Sequence, residues 1–486
     1  MNLISTEVDG DGVLVATIDM ADRTMNVFSA ELMDELDALM DRVDTDPAVK
    51  SCVVTSGKPS FLAGADLVMV RGYCDAAATS SHAQMFEMCG RLGRQFVRLE
   101  ASAKPWVAAV NGLALGGGLE LSLACRTRIV SDDPRLQLGV PEVRWGLLPG
   151  AGGTQRLPRL VGFEAAMGML LSGRSADPGT AVRLGLFAKA VPASQLLAEA
   201  KAAARSRHGQ PYDAAAKFRN LAEADVPEHS DAVAQAIALK HGVGAEDFGL
   251  YPAYSAIVDS VLQGARLPLA EANAVEMNQF LRLMFSPVAG RMVRTLFLER
   301  LRAERELAAP AGIQIERLAH GHLGAANEAW AEALGKLKLP RALDPALPAD
   351  ALELFGADGS RHRFALRVLG QGDPHSSMPQ ALLAPPGPYG RVLEIVGANH
   401  DEAAAMAALA ARLWSLPWRT PGPLAVLPRL HGLTLPQQAE AAADCAAEPG
   451  AGDPAFLDVA ACLAGLSPAW SGGPLTWAAG ERNAAP

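Results

Sequence analysis

Three consecutive glycines, residues 116–118, separate one apolar run from another, and few backbone conformations satisfy that order. The run Trp106–Val110 is typical of a buried strand, and residues 119–125 predict the first turns of a buried helix. Glycines allow the backbone to approach a ligand closely, and the free N–H groups of a helix start favour negative charge. The stretch therefore predicts a strand–turn–helix unit that offers amide donors to an anionic group.

Two glutamates accompany this turn. Glu120 lies one turn into the apolar helix, where a carboxylate is costly unless it is paired or used. Glu142 follows Pro141, ahead of a second glycine-rich turn at residues 149–153. Each feature alone has an ordinary explanation, because glycine triplets often form plain tight turns and one glutamate can cap a helix or join a salt bridge. Together they predict oxyanion donors and two carboxylates that face one pocket.

Three stretches of the chain resemble the crotonase (enoyl-CoA hydratase/isomerase) superfamily. They are FLAGADL at residues 61–67, VNGLALGGGLELSLAC at residues 110–125 and VPEVRWGLLPGAGGTQRLPRLVG at residues 140–162. The resemblance extends over residues 10–195. It implies an α/β fold, a crotonase-like spiral of ββα units.

The resemblance also implies a role for each matching residue. Glu120 and Glu142 match the catalytic carboxylates, and the amides of Ala65 and Gly117 match the oxyanion hole for a thioester oxygen. The residues implied to bind substrate are Ala63, Gly64, Asp66, Leu67, Gly116, Pro141, Leu148 and Gly150. A helix cap is the alternative role for Asp66.

The retained pair of glutamates favours hydratase or isomerase chemistry, because many relatives that do other chemistry lack one or both. The expected reaction adds water across the C2=C3 bond of a 2-enoyl thioester to give 3-hydroxyacyl-CoA, as in β-oxidation. A side activity as a Δ3-Δ2-enoyl-CoA isomerase is also implied. Two alternatives stay open: a crotonase-fold tailoring enzyme on another acyl thioester, and a non-catalytic acyl-CoA-binding scaffold subunit.

The chain beyond residue 195 is similar to the α subunits of multifunctional fatty-acid-oxidation complexes. Residues 251–305, with prolines at 268 and 287, resemble their helical linker, which precedes a 3-hydroxyacyl-CoA dehydrogenase part in those proteins. We therefore predict a crotonase domain at 1–195, a helical linker packing on it at 196–309, and a degenerate, mostly α, dehydrogenase-like region at 310–486. The resemblance implies a thiolase-like partner, with a homo-oligomer as the alternative.

A functional dinucleotide site would need a strand followed by G-x-G-x-x-G at the start of a helix. The best candidate, residues 364–376, supplies Gly370 and Gly372 but has His375 in the place of the third glycine and Pro374 in the turn. We therefore expect neither NAD binding nor dehydrogenase activity, and no cofactor.

Composition excludes several other classes of protein. Lys and Arg number 43 against 53 Asp and Glu, and a net charge of −10 argues against nucleic-acid binding. Lys58 and Arg71 are the candidates for binding the CoA phosphates.

The six cysteines form no C-x-x-C pair, so we expect neither a metal site nor disulfides. The first residues lack signal-peptide features, and the apolar window 106–125 carries Glu120, so we expect a cytoplasmic protein without membrane insertion.

Three segments in the first hundred residues have predicted local roles. Ser29 is placed to cap the helix that follows it. Residues 68–81 are predicted to form a mobile wall of the acyl pocket, and residues 83–99 are predicted to form one helix.

Overall fold

A computed structural model describes residues 2–210, 212, 226–369, 378–387, 389–420, 425–448 and 452–484. The chain divides into two compact units, residues 1–290 and residues 291–486. This division is coarser than the predicted three parts, whose boundaries after residues 195 and 309 stay predictions. The candidate dinucleotide turn at Gly370, Gly372, Pro374 and His375 lies outside the described residues.

In its described part, the first unit contains a six-stranded sheet and a separate two-stranded pair. The strands are β1 (Ile4–Val8), β2 (Val13–Ile18), β3 (Ser51–Ser56), β4 (Trp106–Val110), β5 (Ala114–Leu115), β6 (Thr127–Ser131), β7 (Leu138–Gly139) and β8 (Lys189–Val191). The sheet order is β1-β2-β3-β4-β6-β8, with β1 antiparallel to β2 and every other neighbour parallel. Strands β5 and β7 form the parallel pair.

Helices surround this sheet. They are α1 (Ala30–Thr45), α2 (Leu67–Ala76), α3 (His82–Cys89), α4 (Arg91–Ala101), α5 (Gly117–Ala124), α6 (Gly153–Val161), α7 (Phe163–Ser172), α8 (Pro178–Arg183), α9 (Ala193–Arg205), α10 (Asp231–Lys240), α11 (Ala245–Leu250), α12 (Pro252–Gly264) and α13 (Leu269–Met284), followed by α14 (Pro287–Val293). A 3-10 turn spans Pro141–Trp145. On one sheet face, Val53, Val107 and Ile129 pack with Ala200 and Ala204 of α9. Strand β4 is apolar and buried at every residue, as expected of a strand covered on both faces, whereas β3 and β6 also carry serine, threonine or arginine.

Two local predictions about helices have clear outcomes. Ser29 caps α1, because its Oγ accepts a hydrogen bond from the Leu32 N–H at 3.3 Å, which confirms the predicted cap. The single helix predicted over residues 83–99 is instead two helices, α3 and α4, which meet at Gly90. Glycine is a poor helix former, by about 1 kcal/mol relative to alanine, and a Cβ there would lie 2.6 Å from the Phe86 carbonyl oxygen.

The predicted strand–turn–helix unit is confirmed. Strand β4 leads through β5 to Gly116, which has φ 51° and ψ −124°, and α5 begins at the next residue. This backbone conformation is open to glycine and strained for other residues. Every residue of α5 is buried, so the helix carries its glutamate into the interior of the unit.

The helices after residue 250 belong to the first unit up to residue 290. Helix α12 ends at Gly264 and α13 begins at Leu269, directly after Pro268, and α14 begins at Pro287. The helical segment is therefore broken near both prolines. Helix α13 presents Met277 and Leu281 to the interior, and α12 presents Ile257, Val258 and Val261.

The described part of the second unit is built on a seven-stranded mixed sheet in the order β10-β9-β11-β12-β13-β14-β15. Its strands are β9 (Ile315–His320), β10 (Arg341–Leu343), β11 (Ala351–Gly356), β12 (Arg361–Val368), β13 (Gln380–Leu383), β14 (Val392–Val396) and β15 (Leu416–Thr420). After a π-helical turn at Arg294–Glu299, its helices are α15 (Arg300–Glu306), α16 (Glu328–Gly335), α17 (His400–Arg412), α18 (Leu427–Leu430), α19 (Leu435–Ala447), α20 (Pro454–Leu463) and α21 (Pro474–Ala484).

Two apolar cores lie on opposite faces of this second sheet. One packs Phe364, Leu366 and Ile395 against α16 and α17, and the other packs Leu382 and Trp418 against α18, α19 and α20. Helical residues outnumber strand residues here, in line with the prediction, but the sheet itself was not foreseen. Across the described residues, no helix combines the length and apolarity that a membrane crossing would require.

Candidate active site

A cavity of about 130 Å³ lies within the first unit, next to the glycine turn. It is lined by Met33, Ala63, Gly64, Ala65, Leu67, Met69, Val70, Tyr73, Cys89, Leu92, Gly116, Gly117, Glu120, Pro141, Glu142, Trp145, Leu147, Leu148, Gly150, Ala151 and Phe280. All the residues predicted as catalytic, oxyanion-hole or substrate-binding line this cavity except Asp66. The three matching stretches, which are distant in sequence, therefore meet at one place.

The backbone brings the amides of Ala65 and Gly117 to one side of the cavity. Residues 28 and 65 form a parallel bridge whose hydrogen bonds run from Phe28 N to Gly64 O and from Asp66 N to Phe28 O, so the Ala65 N–H points away from that bridge. Gly117 is the first residue of α5, where a backbone N–H has no acceptor inside the helix. A Cβ built on Gly64 would lie 3.9 Å from Gly117 N, so the two segments are in contact.

Glu120 is held by two backbone amides. Its Oε1 accepts hydrogen bonds from Ala151 N at 2.8 Å and Gly153 N at 2.7 Å, and the residue is 2% exposed. Burial raises the pKa of Glu120 to about 7, although the two amides and the Arg156 guanidinium favour its charged form. The side chain can therefore lose its proton near neutral pH and then be stabilised as an anion.

Glu142 has a different environment. It lies in the 3-10 turn Pro141–Trp145, and its Oε1 would be 2.2 Å from a Cβ on Gly116. Its Oε2 is enclosed and has no hydrogen-bond partner in the described part of the chain. Burial, and then repulsion by Glu120, raises the pKa of Glu142 well above its ordinary value. Glu142 is thus the carboxyl group that keeps its proton.

Tyr251 supports the turn that carries Glu142. Its hydroxyl donates to the carbonyl oxygen of Val143, and the residue is buried at the start of α12. Tyr251 lies more than a hundred positions after the turn, and nothing in the local sequence around Glu142 indicates this contact.

A third buried glutamate, Glu276, was not predicted. It lies on α13 and is 1% exposed. Gly152 N donates to its Oε1 at 2.6 Å and Thr154 N donates to its Oε2 at 2.9 Å. Burial, and then repulsion by Glu120, raises the pKa of Glu276 as well. A glutamate at a buried position of an amphipathic helix was the available signal, since such a residue needs a partner.

A buried arginine balances part of this negative charge. Arg156 is fully buried; its Nη2 lies 3.3 Å from Glu100 Oε2, and its Nη1 donates to Ala151 O at 2.9 Å. The guanidinium thus contacts the same loop whose amides reach Glu120. Truncating Arg156 would leave the buried charge of Glu100 without its partner, which is strongly destabilising. Arg156 therefore has a structural role beside the site.

The apolar wall of the cavity comes from two helices. Met69, Val70 and Tyr73 of α2 line it, so the segment predicted to form a wall of the pocket does lie there. Phe280 of α13 also lines the cavity and was not predicted. A Cβ on Gly150 would lie 2.7 Å from the Phe280 ring, so glycine at position 150 allows the ring to approach.

Asp66 has the alternative role of a helix cap. Its side chain accepts from Val68 N at 2.9 Å at the start of α2 and pairs with Arg23 at 2.6 Å. The carboxylate is engaged in these contacts and does not line the cavity, because the helix start requires it.

The two candidates for CoA phosphate binding are also paired. Lys58 Nζ lies 3.0 Å from Asp19 Oδ1, and Arg71 pairs with Asp75 and donates to Gly290 O at 2.8 Å. Neither lines the cavity, and their role toward a phosphate stays a prediction.

Comparisons with known proteins find similar sequences over the part of the chain that contains this cavity. The family model described as Enoyl-CoA hydratase/isomerase matches residues 11–243. The fatty acid oxidation complex subunit alpha of Shewanella halifaxensis (strain HAW-EB4) is 38% identical over 302 residues, which are 62% of this chain and 41% of that protein. Its counterpart from Shewanella frigidimarina (strain NCIMB 400) is 36% identical over 305 residues, 62% and 42% of the two chains.

The chain spans about two fifths of the length of these curated relatives. The solved structure of Pseudomonas aeruginosa DspI is 33% identical, covers 45% of this chain and 84% of that chain, and has a TM-score of 0.38.

Proposed function

We propose, from the match of residues 11–243 to the enoyl-CoA hydratase/isomerase family model, that the protein adds water across the C2=C3 bond of a 2-enoyl-CoA. The product is a 3-hydroxyacyl-CoA. The observation that carries the proposal is the contrast between two carboxyl groups on one cavity: Glu120 accepts two amide hydrogen bonds, and Glu142 Oε2 accepts none from the described residues.

The thioester oxygen accepts hydrogen bonds from the amides of Ala65 and Gly117. Negative charge grows on that oxygen when a nucleophile attacks C3, because the electrons of the double bond move toward the carbonyl. Fixed amide donors stabilise this enolate without reorganising, and removal of one such donor typically costs about 3–4 kcal/mol of activation free energy.

Proton transfer is divided between the two glutamates. Ionised Glu120 takes a proton from a water molecule while the water oxygen forms its bond to C3. Protonated Glu142 delivers a proton to C2, which completes the addition. Proton balance is restored when the proton on Glu120 passes to Glu142, directly or through the next water. Each glutamate thus has a pKa suited to its step.

The proposal extends to the setting of the reaction. Hydration moves a water molecule and protons, so the site needs no nicotinamide cofactor. We place the enzyme in the cytoplasm, with acyl-CoA as the substrate. A thiolase-like partner and a homo-oligomer both stay predictions, since no partner chain is described.

Double-bond isomerisation is a second candidate, favoured by Glu142. Its Oε2 is enclosed and has no hydrogen-bond partner among the described residues. A single carboxyl group of this kind can carry a proton between C2 and C4 without adding water. The family of residues 11–243 includes both reactions.

Turnover of crotonyl-CoA and of a longer 2-enoyl-CoA tests the proposal. We expect the absorbance of the conjugated thioester to fall as 3-hydroxyacyl-CoA accumulates, with no added cofactor. If the 2-enoyl-CoA binds and the absorbance of its conjugated thioester does not fall, the scaffold alternative is favoured. Formation of 3-ketoacyl-CoA after NAD is added would contradict the expectation that dehydrogenase activity is absent.

The pH dependence of kcat/KM provides a further prediction. Activity should rise on the acid side with an apparent pKa near 7, as Glu120 loses its proton, and fall at higher pH, as Glu142 loses its own. The two apparent values belong to the pair, since the carboxylates repel each other. Initial rates with crotonyl-CoA from pH 5 to pH 10 measure them, and a flat profile would contradict the assignment.

A further inference from the structure

Two glutamates hold one short loop from opposite sides. The amides of residues 151–154 alternate between them: Ala151 N and Gly153 N donate to Glu120, and Gly152 N and Thr154 N donate to Glu276. Thr154 Oγ1 also donates to Glu276 Oε2 at 2.5 Å. Four consecutive N–H groups therefore serve two carboxylates that come from different helices, α5 and α13.

We propose that Glu276 is a positioning residue for Glu120: it fixes the loop so that the Ala151 and Gly153 amides stay directed at the catalytic base. The inference rests on the proposed function, in which Glu120 accepts the proton of water. Glu276 does not line the catalytic cavity, and it holds the amide donors of Glu120 through the loop.

The loop needs such an anchor because of its composition. Gly150 precedes the loop, and Gly152 and Gly153 lie within it. Gly152 has φ 98°, so several backbone conformations are accessible to the segment. Glu120 engages only alternate amides, and rotation of the intervening peptides would turn its donors away. Glu276 engages the other two, and a hydrogen bond between Thr154 and Ser260 of α12 at 2.7 Å supports the same end of the loop.

A second cavity, of about 250 Å³, lies on the Glu276 side of the loop. It is lined by Gly152, Asn273 and Glu276 among others, and both amide atoms of the Asn273 side chain are enclosed without a partner among the described residues. Buried polar atoms of this kind are usually satisfied by ordered water. Glu276 is therefore reached from a compartment other than the one that holds Glu120.

Glu276 has two opposing effects on the ionisation of Glu120. The groups that face Glu120 are Glu142, Glu276 and Arg156, and Arg156 is itself paired with Glu100. The charge of Glu276 disfavours ionisation of Glu120 by repulsion. Its hold on the loop favours ionisation, because it keeps two N–H donors on the anion. A variant that removes the charge but keeps one acceptor oxygen, and a variant that removes both the charge and the contacts, separate the two effects.

The test compares Glu276→Ala, Glu276→Gln and the control Glu271→Ala, an exposed glutamate on the same helix. Glu276→Ala removes both charge and contacts, so we expect kcat to fall at least about tenfold with KM within about twofold. We expect the acid limb of the pH profile to move up by about one unit, which is tenfold in proton affinity. Glu276→Gln keeps a hydrogen-bonding side chain, and its kcat should stay within about threefold of the parent without an upward move of the limb.

Two kinetic results would overturn the inference. One is an acid limb that moves to lower pH in both variants, which would mean that Glu276 acts through its charge alone. The other is a Glu276→Ala profile that matches the Glu271→Ala control, or one that loses amplitude with no movement of the limb.

A readout without turnover separates this inference from the proposed function. The carboxyl stretch of Glu120, identified by its loss in Glu120→Gln, is titrated by infrared spectroscopy in the parent and in Glu276→Ala. If the titration midpoint of Glu120 lies at higher pH in Glu276→Ala than in the parent, the positioning role is supported even when no enoyl-CoA is hydrated. If the parent hydrates enoyl-CoA and the titration midpoint of Glu120 is the same in Glu276→Ala, the proposed function is supported and the positioning role of Glu276 is wrong.

Discussion

The Glu120→Gln variant is expected to lose about a thousandfold of its hydratase turnover, since a positioned general base contributes about 10²–10⁴. The amide oxygen of glutamine can still accept from Ala151 N and Gly153 N, so the loop should keep its position. The variant would then bind enoyl-CoA with a KM within about threefold of the parent. Steady-state kinetics with crotonyl-CoA measure both quantities.

The matched control for this variant is Glu271→Gln. Glu271 is exposed on α13 and lies outside the cavity, so its replacement should leave kcat unchanged. If Glu120→Gln retained turnover within about fivefold of the parent, the general-base role of Glu120 would be wrong, since that role requires a far larger loss.

The Gly116→Ala variant has the second largest expected effect. A Cβ at this position would lie 2.2 Å from Glu142 Oε1, and the φ of 51° is strained for any side chain. We expect the methyl group to displace the acid, with kcat falling at least about a hundredfold. The strain should lower the free energy of unfolding by about 1–3 kcal/mol. Kinetics and denaturant unfolding of the purified variant measure the two effects.

Gly72→Ala is the control for an added methyl group. Gly72 lies within α2, and a Cβ there would meet nothing within 4 Å. Its replacement should stabilise the helix by about 0.5–1 kcal/mol and leave turnover unchanged. A Gly116→Ala variant as active as Gly72→Ala would show that Glu142 can move aside without loss, contrary to the proposed mechanism.

The sequence was most informative where local chemistry and spacing coincide. The glycine turn, the apolar strand before it and the buried helix after it are adjacent in the chain, so their arrangement could be predicted. The family model that matches residues 11–243 bears out the crotonase-like α/β fold expected for this part. Glu120 stood out because a charged residue inside an apolar helix requires a partner.

The sequence was least informative about contacts between distant segments. Glu276 and Phe280 reach the loop at residues 150–154 from a helix more than a hundred positions away. Their side chains look like ordinary members of an amphipathic helix. Asp66 shows the opposite case, because its place in a matching motif suggested a ligand contact, whereas the start of α2 uses it as a cap.

The second unit illustrates a further difficulty. The resemblance to fatty-acid-oxidation α subunits implied a degenerate, mostly α region after residue 309, and no sheet was predicted there. The seven-stranded sheet was missed because its strands are short and several carry irregular burial, as in β9, where exposed Glu316 and Arg317 interrupt the apolar residues. Strand pairing depends on neighbours far along the chain, so such strands lack a local signal.

Isotope incorporation tests the central claim most directly. The parent protein is incubated with crotonyl-CoA in H₂¹⁸O and, separately, in D₂O, and the product is examined by mass spectrometry and NMR. We predict ¹⁸O at C3 and deuterium at C2 of 3-hydroxybutyryl-CoA, with the initial rate of both incorporations lowered about a thousandfold in Glu120→Gln. Acyl-CoA that binds but acquires neither isotope, or deuterium at C4 without ¹⁸O, would contradict the addition of water by this pair of glutamates.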